Sequence, residues 1–373
     1  MPSRFEIELS DEVLDDLRER LLRTRWPDQV ASDWQQGTDL DYLRDLAAYW
    51  ADGFDWRAQE VELNRHEHYT VDVDGVALHF VHSRRGGLPL LLLHGWPSCF
   101  VEQLRLVPHL ASDFDLVVPS LPGYGFSQRP PIANYRVVAE LFHELMQRLG
   151  YDRYAVHGGD FGAGVATYLA LDHPDAVLGI HLSTPELSPA RGPSSPPLTR
   201  PERDYLAAND AWAQVERGYS SIQSTKPQTL GYGLNDSPAG LAAWILEKWR
   251  SWTDSGGDLD SRFGRDFLLT LVTVYWATQS VTSSMRDYYD NRFHPAGLSP
   301  DDFVDVPTAF AVFGHHFVAE GEPPREFMER LYRVDRWTVM PRGGHFAAAE
   351  EPELLAGDIR AFLRGRTGIS RER

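Results

Sequence analysis

The chain of 373 residues carries a single cysteine, Cys99. One thiol excludes an internal disulfide, a cysteine-based metal cluster and redox chemistry through a thiol pair, and it fits a reducing compartment. Basic residues are scarce as well: 36 Lys and Arg stand against 54 Asp and Glu, a net charge of −18. Such a surface repels phosphate backbones and anionic lipid, so neither nucleic acid nor a membrane is the expected partner. No apolar run is long enough to cross a bilayer, and the start Met-Pro-Ser-Arg-Phe-Glu-Ile-Glu lacks the charged-then-apolar order of a signal peptide. A cytoplasmic location is the expectation. Internal repeats and low-complexity tracts are missing too.

What is present is an ordinary globular composition, 42% hydrophobic and 24% charged. The length exceeds the ~250–300 residues over which one core usually grows, so a core domain with an added unit is expected. Residues 10–25 begin with Ser10 as the expected N-cap and space Leu14, Leu17 and Leu21 along one helical face. Leu40, Leu43 and Leu46 repeat the helical pattern, and no strand signal precedes Tyr69. Residues 1–68 therefore read as a helical module wrapping the core. From Tyr69 onward, short apolar strands at 69–73, 77–81, 90–93, 116–118 and 154–156 alternate with helical patterns at 101–110, 135–149 and 163–172, as in a mainly parallel α/β sheet. After a strand at 178–182 comes a Pro/Ser/Gly-rich run, then an aromatic helical region with Trp212, Trp244, Trp249, Trp252, Tyr275 and Trp276. Strands return at 308–313 and 337–340, and an amphipathic helix with Leu354, Leu355, Ile359 and Phe362 closes the pattern. The expected organisation is a core in 69–186 and 299–373, interrupted by a helical lid in 187–298.

The segment Tyr154-Ala155-Val156-His157-Gly158-Gly159-Asp160-Phe161-Gly162-Ala163-Gly164 runs from a strand through small residues around one acid into a helix. That is the form of a nucleophile elbow, in which only small neighbours fit beside the raised side chain. Where serine would serve acyl transfer, an aspartate can displace at an sp³ carbon and form an alkyl ester. The bland alternative is that Asp160 merely caps the following helix. Leu90-Leu91-Leu92-Leu93-His94-Gly95-Trp96-Pro97 is a buried strand ending in a turn, which can supply one oxyanion N–H at Trp96 to pair with that of Phe161. His345, in Arg342-Gly343-Gly344-His345-Phe346, follows the last strand, in the chain order of α/β hydrolases.

These motifs resemble the microsomal and juvenile-hormone type of epoxide hydrolase and its soluble bacterial relatives, over nearly the whole chain. The likeness includes Thr24-Arg25-Trp26-Pro27, Leu121-Pro122-Gly123-Tyr124-Gly125-Phe126-Ser127 and two lid segments, 218–227 and 282–291. The resemblance implies an α/β-hydrolase fold with a mainly parallel central sheet, an inserted helical lid and a helical N-terminal module. It also implies an ether-bond hydrolase turning an epoxide into a vicinal diol through an ester on Asp160, with His345 activating water. Two lid tyrosines that protonate the epoxide oxygen match Tyr219 and Tyr288, with Tyr289 as the rival of the latter.

The family's acid that orients the histidine belongs a few residues after strand 308–313, where this chain has His316. Glu320 is the first candidate, followed by Glu322, and by Glu186 because related dehalogenases place their acid in that region. His66-Glu67-His68 and His315-His316 lack the spacing of zinc motifs, so neither a metal nor an organic cofactor is expected. The rival readings are a haloalkane dehalogenase, which needs halide-binding N–H donors in place of paired phenols, and a small-molecule receptor without turnover. The expected partner is a small-molecule epoxide. The oligomeric state stays open, with a homodimer as one candidate.

Overall fold

A computed structural model of the chain describes residues 1–315 and 322–366. Its centre is a sheet whose strands, in chain order, are β1 (Ser3–Phe5), β2 (His68–Val73), β3 (Val76–Ser83), β4 (Leu88–Leu93), β5 (Phe114–Pro119), β6 (Tyr154–Gly159), β7 (Val177–Thr184), β8 (Val304–Val312) and β9 (Tyr332–Val339). Across the sheet they run β1-β2-β3-β5-β4-β6-β7-β8-β9. The first three pairings are antiparallel and those from β5 to β9 are parallel. β2 and β3 form a hairpin because Asp74 and Gly75 both accept positive φ, 52° and 81°, which the tight turn between right-twisted strands requires. The inner strands are covered on both faces, and Leu90 to Leu93 are accordingly apolar without alternation and fully buried.

Helices Tyr135–Arg148 and Phe161–Asp172 are crossovers between parallel strands, and helix Pro352–Leu363 closes the fold against the sheet. Asn134 caps the first by accepting from the Val137 N–H at 3.0 Å. Ser10 does sit before helix Asp11–Leu22, but its hydroxyl makes no capping bond. Among the described residues, seven helices from Arg200–Glu216 to Val281–Phe293 lie between β7 and β8. This is the helical insertion that the aromatic stretch announces.

The segment before Tyr69 is not wholly helical. β1 adds to the sheet edge, pairing Ser3, Arg4 and Phe5 with Thr70, Tyr69 and His68. Three residues are too few to show an alternating pattern, which is why the strand has no sequence signal. The helices that follow, Asp11–Leu22, Leu40–Asp52 and Trp56–Leu63, reach the inserted helices as well as the core. Trp50 Nε1 donates to Thr273 Oγ1 at 3.0 Å, and the Tyr42 hydroxyl donates to Asp260 at 3.0 Å.

In such a sheet the carboxyl ends of the parallel strands face outward at the point where strand order reverses, beside β4. The turns after β4, β6 and β9 therefore converge, and they carry Trp96, Asp160 and His345.

Candidate active site

Asp160 follows β6 directly, with φ 54° and ψ −130°, a conformation that strains any residue with a Cβ by about 1–3 kcal/mol. Its neighbours must be glycine because backbone crowds them. A Cβ on Gly158 would lie 2.4 Å from the Gly162 carbonyl oxygen, and one on Gly162 would lie 2.6 Å from that of Leu93. On the facing loop, a Cβ on Gly95 would lie 2.4 Å from Asp160 Cβ. The turn lifts the carboxylate to the ends of β4 and β6. There Oδ1 accepts two backbone hydrogen bonds, from Trp96 N–H at 2.9 Å and Phe161 N–H at 2.7 Å. The expected oxyanion donors thus meet on one oxygen of Asp160, and the helix-capping contact is one half of that pair. Burial pushes the Asp160 carboxyl up to about 6, against the pull of the two N–H bonds.

His345 Nε2 stands 3.5 Å from the other oxygen, Asp160 Oδ2. The turn that carries it needs Gly343, at φ 99°, and Gly344, whose Cβ would lie 2.4 Å from the His315 carbonyl oxygen. The His345 backbone N–H donates to the Trp252 carbonyl at 2.9 Å, and the imidazole lies 4.9 Å from the Trp252 ring. A contact from the inserted helices thus helps to aim a core residue.

Tyr219, on helix Gly218–Gln223, stacks on the Trp96 indole at 5.4 Å with the planes 8° apart. Tyr288, on helix Val281–Phe293, sets its ring edge-on to Phe161 at 4.8 Å and to Tyr219 at 6.0 Å. Burial, followed by the charges around each ring, Asp160 among them, holds both phenols above the usual tyrosine range, so both keep their protons. Tyr289 packs on Phe293 at 4.6 Å and on His294. The structure therefore gathers Asp160, His345, Trp96, Phe161, Tyr219 and Tyr288 and leaves Tyr289 out.

Of the candidate orienting acids, Glu320 lies outside the described residues. Glu322 is half-buried, and burial raises its carboxyl. Glu186 accepts a hydrogen bond from the Tyr135 hydroxyl at 2.8 Å. Its side chain retains accessible surface, yet protein crowds it closely enough that burial and the charge of Asp160 raise its carboxyl to about 8. Of the histidines in the two His-rich motifs, His68 bonds His79 Nε2 and the Leu63 carbonyl, both at 2.9 Å, His315 lies 3.4 Å from Asp254, and His316 lies outside the described residues.

Three groups beside Asp160 have no counterpart in the sequence reading. Glu102 and Gln103, on helix Phe100–Leu104, are buried close to Asp160 and His345, as is His157, three residues before Asp160. A Glu-Gln pair in a short helix reads as solvated surface, and its only clue is position, a few residues after His94-Gly95-Trp96-Pro97. Arg129 was missed as well. It bonds Asp290 at 2.6 Å and Asp287 at 3.2 Å on the helix that carries Tyr288.

Comparison with known proteins bears on the family of the whole chain. The sequence profile for the epoxide hydrolase N terminus matches residues 2–103, and that for the alpha/beta hydrolase fold matches residues 89–216. Epoxide hydrolase 1 of the pig, Sus scrofa, is 37% identical over an alignment covering 96% of this chain and 88% of the relative. The crystal structure of juvenile hormone epoxide hydrolase from the silkworm Bombyx mori superposes with a TM-score of 0.87 at 30% identity, covering 98% of this chain and 95% of that one. The structure of Aspergillus niger epoxide hydrolase gives 0.84 at 29% identity, covering 98% and 96%. With this identity extending through the N-terminal segment, the sheet and the inserted helices alike, the chain belongs to the epoxide hydrolase family of the α/β-hydrolase fold.

Proposed function

We propose that the protein adds water across an epoxide in two steps, through an alkyl ester on Asp160. The observation that carries this reading is the asymmetry of that carboxylate: Oδ1 is held by two N–H donors, while Oδ2 faces His345. Oδ2 attacks one epoxide carbon from behind, the C–O bond breaks, and the leaving oxygen takes a proton from Tyr219 or Tyr288. An alkoxide is more basic than even a buried phenolate, so these acids can donate without having been deprotonated beforehand.

In the second step His345 Nε2 takes a proton from water as the water oxygen bonds to Asp160 Cγ. Negative charge develops on Oδ1, where the Trp96 and Phe161 N–H groups already point, and needs no reorganisation there. The ester C–O bond breaks, the diol leaves with the proton returned from His345, and the proton left on the new Asp160 carboxyl goes back to the tyrosinate. The atoms sum to epoxide plus water giving diol. A carboxylate after β8, with Glu320 as our choice, would orient the imidazole. We place the site between a core of 69–186 with 299–373 and a lid of 187–298, strapped by residues 1–68. The lone Cys99, which is buried, supports a cytoplasmic setting. Among the described residues no helix is long and apolar enough to cross a membrane.

The paired phenols favour this reading over a halide-releasing one, because Tyr219 and Tyr288 keep protons that a leaving alkoxide needs and a leaving halide does not. Intact-mass spectrometry after mixing with a simple epoxide tests it. His345→Gln should accumulate an adduct of one substrate mass, and Asp160→Asn should gain none. An adduct on Asp160→Asn, or none on His345→Gln, would refute the ester.

A further inference from the structure

Beside the catalytic pair lies a small space whose walls include both Asp160 and His345 and to which neither phenol contributes. It measures about 10 Å³ to the centre of a water-sized sphere, close to the room one water needs. Five further polar side chains reach it, Ser98, Glu102, Gln103, His157 and Ser183, all at least nine-tenths buried, and Gly95, Gly159, Phe346 and Ala348 complete the walls. The Oε1 atom of Gln103 has no hydrogen-bond partner among the described residues. A buried amide oxygen left in that state is destabilising unless water completes it.

The surrounding groups fix which partners such a water meets. Asp358 accepts from His181 Nε2–H at 3.0 Å, so His181 Nδ1 carries a lone pair. His157 Nδ1–H then donates to that nitrogen and to the His181 carbonyl, both at 3.1 Å, and His157 Nε2 is left as an acceptor. Burial holds His157 neutral. Burial, together with the charges of Glu350 and Asp160, also raises Glu102 to about 8, which leaves it a protonated donor at neutral pH. The space therefore offers both donors and acceptors, and adds no further charge beside Asp160.

We infer that this space is the binding site of the hydrolytic water, and that Gln103 is a positioning residue for the second step, an inference resting on the ester reading above. One hydrogen of the water goes to His345 Nε2, and the other is held by the Gln103 amide oxygen. With both hydrogens engaged, an oxygen lone pair is free for Asp160 Cγ. As the new C–O bond forms, the proton passes to His345, the alkyl C–O bond breaks, and the diol departs with that proton.

Two variants perturb the site in opposite ways. Gln103→Met keeps the volume and removes the amide, while Ser183→Val fills the space. Rapid-quench single turnovers with styrene oxide should show ester formation within twofold of the parent in both, and ester breakdown slowed at least tenfold. The unchanged first step distinguishes a displaced water from a damaged fold, which would slow both steps. Breakdown at the parental rate in both variants overturns the inference and leaves the ester reading intact, whereas failure of the parent to form any ester overturns the ester reading itself. Should neither variant fold, high-resolution diffraction of the unmodified protein decides the matter: density for a water bonded to Gln103 supports the site, and an empty space refutes it.

Discussion

Tyr288 and Tyr289 are neighbours in sequence and occupy different surroundings, because successive helical side chains diverge by about 100°. One ring meets Phe161 and Tyr219, and the other packs on Phe293 of its own helix. Replacing Tyr288 by Phe should slow ester formation by about 2–4 kcal/mol of barrier, the usual loss for one donor to a developing oxyanion, while Tyr289→Phe leaves the rate within twofold. Stopped-flow alkylation of the two variants checks this, and a reversed order would reassign the proton donor. Protonation of the nucleophile supplies a second test. Burial raises Asp160 to about 6, and only its carboxylate can attack, so the alkylation rate should fall as pH drops through 6. At pH 5 it should be about one tenth of its plateau, by simple titration one unit below the midpoint. A rate flat to pH 4.5 would mean that burial does not control this group. That Asp160 and His345 each sit on a tight turn is legible in the sequence, because both turns are local patterns of glycine around one polar residue. The placement of Gln103 and His157 is not, since their burial depends on what the rest of the chain lays over them.

At the scale of elements, the helix bearing Tyr288 is held to the core by Arg129. Its guanidinium bonds Asp290 and Asp287 and donates from Nε to the Ser283 carbonyl at 3.1 Å. All three charged side chains are nearly buried, and Asp290 also accepts from the Ala133 N–H at 2.8 Å. Removing one partner strands buried charge, so Arg129→Ala should cost about 3–5 kcal/mol in urea unfolding. Arg129→Lys should recover only part of this, because a point charge cannot satisfy two carboxylates and a carbonyl in one plane. Equal stability of Arg129→Ala and the parent would show that the network is idle. The strands at 69–73 and 90–93 and the helical insertion declared themselves through composition. This network did not, because Arg129 lies more than 150 positions from both carboxylates and each charge alone reads as a surface one. The β1 strand stayed hidden for the opposite reason, being too short to have a period.

On the scale of the whole molecule, the order of strands and inserted helices along the chain follows from where strand signals stop and resume, and the superposition on the silkworm and Aspergillus structures extends over 98% of the chain. What the linear pattern does not disclose is that residues before Tyr69 touch both the sheet and the inserted helices. Trp50 and its partner Thr273 are separated by 223 positions, and Tyr42 and Asp260 by 218. During synthesis at about 5–20 residues per second, roughly 10–45 s pass between the making of Trp50 and the making of the residue that satisfies its indole. In that interval helix Leu40–Asp52, with Leu43, Leu46 and Trp50, has helix Asp11–Leu22 beside it but not the inserted helices that complete its cover. The nascent chain is thus most open to aggregation until residue 273 has left the ribosome.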